Sequence, residues 1–170
     1  MKTLFLLRHA KSSWADQTLG DFDRPLNGRG RKSAPKMGAF MAAEGLSPDL
    51  VLASSSARTR ETFTRFEEAL GQELDVQFLE DLYHSTSILI LNLVQNAPSD
   101  VGSLMLIAHN PGMHDAVLRF IGDATGFDKS RLDHNFPTCG LAHFTFVGAT
   151  WQDVNFGEGK LERLVFPKDL

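Results

Sequence analysis

Ser103-Leu104-Met105-Leu106-Ile107-Ala108-His109-Asn110-Pro111-Gly112 is an apolar run that stops abruptly in a polar turn. Ser103 to Ala108 has the character of a central parallel strand, covered on both faces. Beyond the turn, Met113, Ala116, Val117, Phe120 and Ile121 share one face at helical spacing and predict an amphipathic helix. Strand, polar turn and amphipathic helix together form the repeating unit of a parallel α/β sheet.

The same unit recurs towards the N-terminus. Thr3 to Leu7 is a short apolar run and reads as a buried first strand. Asn27 can cap a following helix, in which Ala34, Met37 and Met41 keep helical spacing until Gly45. Asp49 to Ala53 predicts a second strand. Phe63, Phe66 and Leu70 mark the next helix, closed by Gly71. Val76, Phe78 and Leu79 predict a third strand, and Ser87 to Ala97 a helix stopped by Pro98.

Towards the C-terminus the pattern changes. Gly122 to Thr138 reads as a long irregular stretch. Leu141 to Val147 alternates as a strand, with Leu161 to Phe166 as its antiparallel partner. Strands separated by helices predict a three-layer α/β/α sandwich. Its central sheet is mainly parallel, with an antiparallel strand or two at the C-terminal end.

At 170 residues, the chain predicts one domain over residues 1–170. Its 17 basic and 21 acidic residues give a formal net charge of −4, which argues against a nucleic-acid partner. The single cysteine, Cys139, rules out an internal disulfide and any cysteine-rich metal site. Cys139 itself reads as a small core residue. His84, His114, His134 and His143 show no ligand spacing, so no metal is expected, nor any other cofactor. No apolar run approaches the ~20 residues of a membrane span. The apolar start ends at Arg8-His9, short of the ~7 to 15 residues of a secretory signal core. The expectation is a cytoplasmic enzyme away from the membrane.

Ligands of open α/β sheets bind beyond the carboxyl ends of the strands. Three of those ends are unusually polar here. The first carries Arg8-His9-Ala10-Lys11-Ser12, the second Ser54 to Thr62 with Arg58, and the fourth His109-Asn110-Pro111-Gly112. If they meet, two imidazoles and at least two guanidiniums face one pocket, beside helix N-termini. That is an anion site with the complement of a phosphoryl group. A histidine among arginines is held neutral and nucleophilic, as transfer through a phosphohistidine requires.

These stretches resemble the histidine phosphatase superfamily, also called phosphoglycerate-mutase-like. Leu7-Arg8-His9-Ala10 resembles its Arg-His-Gly signature, with Ala10 in place of glycine. Ser54-x-x-x-Arg58-Thr59-x-x-Thr62 and Ala108-His109-Asn110-Pro111-Gly112 match its later blocks. Asp23-Arg24-Pro25-Leu26-Asn27-x-x-Gly30 resembles its first helix entry. The resemblance implies that His9 is the nucleophile that becomes phosphorylated. Arg8, Arg58 and His109 would complete the phosphate pocket, and Asn110 could add a backbone N–H. Ala10 is tolerable only at negative φ.

The family's mutases and sugar bisphosphatases carry a long insert that supplies a general acid. Here Ala53 to Ser103 holds one helix, one strand and another helix. The short length, Arg24-Pro25-Leu26 and Leu82-Tyr83-His84 resemble the SixA-type phosphohistidine phosphatases. A phosphate ester expels an alkoxide-like group that needs a proton, whereas phosphohistidine expels imidazole, a better leaving group. Glu80, then Asp81, sit roughly where the family's acid falls.

The expected activity is therefore removal of phosphate from phosphohistidine on a partner protein, such as a phosphotransfer domain or phosphocarrier. One alternative is hydrolysis of a small phosphate ester with Glu80 as acid. Another is a phosphate- or phosphoprotein-binding module with little turnover. Ser12 either binds phosphate or merely ends its loop. Arg24, Arg29, Arg31, Lys32 and Lys36 read first as a solvated helix face, and second as a patch that steers an acidic phosphoprotein. Arg60 is expected to face solvent or pair with a nearby acid. Trp14 and Trp151 are candidates for the rim of the site.

Overall fold

The structure, a computed structural model, describes residues 1–148 and 150–170. Seven strands form one sheet. In chain order they are β1 (Lys2–Arg8), β2 (Leu50–Ser54), β3 (Val76–Leu79), β4 (Ser103–Ala108), β5 (Ile121–Asp123), β6 (Leu141–Phe146) and β7 (Gly159–Val165). Four helices accompany them: α1 (Gly28–Ala43), α2 (Ala57–Leu70), α3 (Ser87–Gln95) and α4 (Gly112–Phe120). The order across the sheet is β3-β2-β4-β1-β6-β7-β5. β6 alone runs against the rest, antiparallel to both β1 and β7, and β5 lies parallel to β7.

Alternation along the strands builds the three layers. Phe5, Leu7, Val51, Ala53, Met105 and Ile107 face Ala34, Met37 and Met41 of α1 and Phe63, Phe66 and Leu70 of α2. Leu4, Leu6, Leu50, Leu52, Leu104 and Leu106 face α3 and α4 on the other side. Both faces of the central strands are thus buried, which is why β4 reads as an unbroken apolar run. α1 and α2 pack closely at Gly38, where a Cβ would come within 2.3 Å of the Phe66 carbonyl oxygen. The Asn27 side chain accepts from the Gly30 N–H, as a cap should.

Most predicted boundaries shift by a residue or two, and the largest differences follow α4. α4 ends at Phe120, and Ile121 opens β5 instead of extending the helix. Ile121 pairs with Gly159, and Gly122 lies so close to the Gly157 carbonyl oxygen that a Cβ would sit 2.2 Å from it. The backbone there is committed to the sheet edge. The stretch from Gly122 also holds a 3-10 turn at Lys129–Leu132, so it is less irregular than its composition predicts. Trp151 is a core residue whose indole N–H donates to the Val101 carbonyl, and it does not rim the site. Among the described residues, no helix is long and apolar enough to cross a membrane.

Candidate active site

β1, β2 and β4 are parallel neighbours, so their carboxyl ends open on one edge of the sheet. His9 follows β1, Ser54 ends β2 with Arg58 in the first turn of α2, and His109 follows β4. The imidazoles of His9 and His109 lie with centroids 4.9 Å apart, both nearly buried. Ala10, behind His9, is fully buried and does not have positive φ, so the alanine is accommodated without strain. Its N–H donates to Thr62 Oγ1 at 3.0 Å, and that hydroxyl donates to the Arg58 carbonyl at 2.7 Å. One threonine therefore fixes the histidine loop to the arginine helix.

His9 Nδ1 lies 2.7 Å from the Ala10 carbonyl oxygen. A carbonyl only accepts, so Nδ1 carries the proton and Nε2 keeps a free lone pair. Burial holds the His9 pKa well below its usual value, helped by His109, Arg8 and Arg58 and opposed by the Ala10 carbonyl. Burial and the Arg58 charge likewise bring His109 down to about 3. Both rings are neutral at physiological pH. His109 Nε2 meets Ser54 Oγ at 2.8 Å. If that hydroxyl donates, the proton of His109 is on Nδ1.

Four buried side-chain polar atoms have no hydrogen-bond partner among the described residues: Arg8 Nε, Ser55 Oγ, Arg58 Nε and His109 Nδ1. All four stand on the strand ends described above. Orphaned buried donors are costly unless a ligand satisfies them. Two guanidinium N–H groups, joined by an imidazole N–H in the His109 tautomer protonated on Nδ1, suit a phosphoryl group's oxygens.

Arg58 is held by a residue that the sequence did not single out. Asp21 accepts Arg58 Nη1 on its backbone oxygen at 2.7 Å and Nη2 on Oδ2 at 3.1 Å. Tyr83 also donates its hydroxyl to Oδ2, and Arg24 pairs with Oδ1 at 3.0 Å. The Tyr83 hydrogen bond, with Arg58 and Arg24, lowers the Asp21 pKa to about 2. Arg24 is nearly buried, donates to Ser12 Oγ at 2.8 Å and stacks 3.5 Å from the exposed Trp14 ring. Arg24 therefore does not belong to the solvated face predicted for the basic stretch. Its interior position follows from three acceptors, Asp21, Ser12 and the Ser13 carbonyl. Ser12 is thereby tied to the loop.

A cleft of about 700 Å³ opens above these groups, lined by Asp21, Arg58, Tyr83, His84, His109 and Asp115 among others. Asn110 also lines it, but its side chain is engaged. Nδ2 donates to Asn135 Oδ1 and the Phe136 carbonyl, and Oδ1 accepts the His114 N–H. Glu80 and Asp81 lie exposed on the turn after β3 and do not line the cleft. Asp115, one turn into α4, does line it and accepts from Ser87 Oγ. Arg60 is exposed, donates to the Ser55 carbonyl and covers Phe78, with no acid partner among the described residues.

Cys139 is buried as expected, but at φ +60°. Its N–H donates to the His9 carbonyl at 2.9 Å, bracing the loop from below. Neither Asp21 nor Cys139 carries a local sequence signal for these roles. Asp23 is equally acidic and closer to the recognised stretch.

Comparison with known proteins agrees with this geometry. Residues 4–84 match the model of the histidine phosphatase superfamily (branch 1). An uncharacterized chloroplastic protein of Arabidopsis thaliana is 30% identical over 98% of this chain and 78% of its own. A crystal structure from Agrobacterium tumefaciens, provisionally named phosphohistidine phosphatase SixA, is 31% identical, with TM-score 0.82 and 98% of each chain covered. A structure of the same provisional name from Nakamurella multipartitia is 26% identical, also at TM-score 0.82, over 98% of this chain and 96% of that one. With the paired imidazoles and arginines at the strand ends, these matches show that the chain belongs to the histidine phosphatase superfamily.

Proposed function

We propose that this phosphatase removes phosphate from phosphohistidine on a partner protein, through a phosphohistidine of its own at His9. The observation that carries the reading is the state of Asp21. The carboxylate beside Arg58 has a pKa of about 2 and is tied to Arg58, Arg24 and Tyr83. It cannot supply a proton near neutral pH. Such a site suits a leaving group that needs little help, and imidazole is one. The provisional SixA naming of the two structural relatives points the same way.

His9 Nε2 attacks phosphorus in line, and the P–N bond to the substrate's imidazole breaks. Arg8, Arg58 and His109 Nδ1 hold the non-bridging oxygens, where charge must be stabilised. The departing nitrogen takes its proton from solvent. Water then attacks the phosphorus on His9, which releases inorganic phosphate and restores the free imidazole. Residues 1–170 would act as one catalytic domain, with Ser12 positioning the loop and Asn110 the β4–α4 turn.

A second reading is favoured by one feature. The cleft falls within the roughly 300–1000 Å³ of small-molecule sites, and Asp115 places a carboxylate on its wall. Hydrolysis of a small phosphate ester would then draw its proton from Asp115, or from Glu80 if its turn moves inward.

The test compares phosphate release from a phosphohistidine peptide and from an aryl phosphate, with His9→Ala as the blank. The expected result is a preference for phosphohistidine by about 10²-fold or more in kcat/KM, lost entirely in His9→Ala, with an acid-labile phosphoenzyme trapped in the wild type. Comparable ester hydrolysis that falls in Asp115→Asn or Glu80→Gln would establish the second reading instead. Phosphate binding without turnover of either substrate would leave a binding module.

A further inference from the structure

A second cavity, of about 250 Å³, opens beside the catalytic cleft. Arg29, Arg131, His134 and Lys168 line it, together with Pro137 and Phe166. Its cations come from three separate parts of the chain. Arg29 lies in the first turn of α1, Arg131 in the turn after β5, and Lys168 just beyond β7. Arg131 is neutralised by Asp169 at 2.7 Å and stacks 4.2 Å over Phe166. Among the described residues, Arg29 and Lys168 have no carboxylate within 4.0 Å. Two unpaired cations above an apolar floor stand out in a chain whose net charge is −4.

The cavity and the cleft share an edge of the sheet. β7 runs in the same direction as β1, because each is antiparallel to β6. The carboxyl end of β7, which leads into Phe166 and Lys168, therefore points the same way as the end that carries His9. The two openings also share a wall. Asn135 lines the cavity, and its Oδ1 accepts from Asn110, which lines the cleft. The neighbouring Phe136 carbonyl accepts Arg8 Nη1 at 3.0 Å.

We infer that this cavity receives an acidic side chain of the phosphoprotein whose phosphohistidine enters the cleft beside His9. The inference rests on the reading given under Proposed function. A carboxylate suits Arg29 and Lys168, and its methylene stem suits Phe166 and Pro137. A carboxylate tethered to the phosphohistidine binds at high effective concentration, which a free anion does not. The cavity thus gives the basic stretch of α1 a use. Arg24 is withdrawn to Asp21 and Arg31 to Glu61, while Arg29 remains for a partner.

The test uses two peptides with a single central phosphohistidine. One has four glutamates on each side and the other four serines, an arm that reaches about 13 Å when extended. The enzymes are the wild type and the double variant Arg29→Glu with Lys168→Glu. For the wild type at low salt, kcat/KM on the glutamate peptide is expected to exceed that on the serine peptide by about tenfold, through KM and falling as salt is added. The double variant should lose or invert that preference. Its rates on the serine peptide and on aryl phosphate should stay at the wild-type level, which also shows that it is folded. Equal use of the two peptides by the wild type, or an unchanged preference in the variant, overturns the inference. If neither peptide is dephosphorylated while aryl phosphate is, the proposed substrate fails instead. Binding of the unphosphorylated glutamate peptide then decides the cavity alone. Weaker binding to the variant retains an acidic docking site, and equal binding removes it.

Discussion

Asp21 does its work through Arg58. It takes both terminal nitrogens of that guanidinium, and Tyr83 and Arg24 hold the carboxylate in turn. Arg58 Nε is left buried and free for a ligand. In Asp21→Asn the amide keeps the shape but loses the charge that restrains Arg58. A displacement of about 1 Å in a positioning group can cost roughly 10²-fold. The expected loss in kcat/KM is therefore about 10- to 100-fold, with a smaller loss in Tyr83→Phe. Steady-state kinetics on the preferred substrate checks both. A change within twofold would mean that the Asp21 backbone carbonyl alone holds Arg58. Sequence reading picks out His9, Arg8, Arg58 and His109 as candidates because each interrupts a clear strand or helix pattern at its end, and the structure brings them together. Asp21 lies in a loop without periodicity, and its importance comes from residues 37 and 62 positions away. Glu80 shows the converse. Its distance from the motifs along the chain is right, yet the turn after β3 leaves it exposed.

At the scale of elements, the helices were legible wherever they bury a face. α1, α2 and α4 carry apolar residues at helical spacing because each packs on one face of the buried central strands. β5 was not legible. It is three residues long, and it exists because Gly122 and Gly159 let two backbones meet, a long-range pairing with no local signature. The α1–α2 contact is tested at Gly38. A Gly→Ala change in a helix normally gains about 0.5–1 kcal/mol. Here the new Cβ would lie 2.3 Å from the Phe66 carbonyl oxygen and 3.1 Å from Ala69 Cβ, so the helices must separate. Overpacking of this kind costs about 1–3 kcal/mol. Gly38→Ala is therefore expected to lower stability by about 1–2 kcal/mol net in urea unfolding, while activity per folded molecule persists. A stabilised variant would show that the two helices can part freely.

The whole molecule combines these demands, and three histidines make its stability depend on pH. His9 and His109 are buried at the catalytic edge, and His143 is buried in β6, packed 4.7 Å from the Phe5 ring. Burial and Arg163, partly offset by Glu162, lower the His143 pKa to about 4. Burial and its neighbours lower His109 to about 3, and His9 moves in the same direction. In the unfolded chain each would titrate near 6.5. As pH falls below that value, the unfolded state binds protons that the native state refuses, so stability falls with pH. The carboxylates lowered by their partners act only at more acidic pH, below their unfolded values near 4. Between pH 7 and 5.5 each buried histidine is expected to cost about 1 kcal/mol, or about 3 kcal/mol in all. That is a large part of the roughly 5–15 kcal/mol that holds a domain folded. His143→Gln keeps an acceptor for Arg163 but cannot bind a proton, so it should remove about one third of the slope without touching the catalytic edge. Urea unfolding at a series of pH values measures both slopes. A stability that stays level from pH 7 to 5.5 would mean that the native state accepts these protons. The neutral His9 that the proposed nucleophilic attack requires would then be lost as well. The same desolvation that keeps His9 neutral for the proposed attack is thus what makes the fold sensitive to acid.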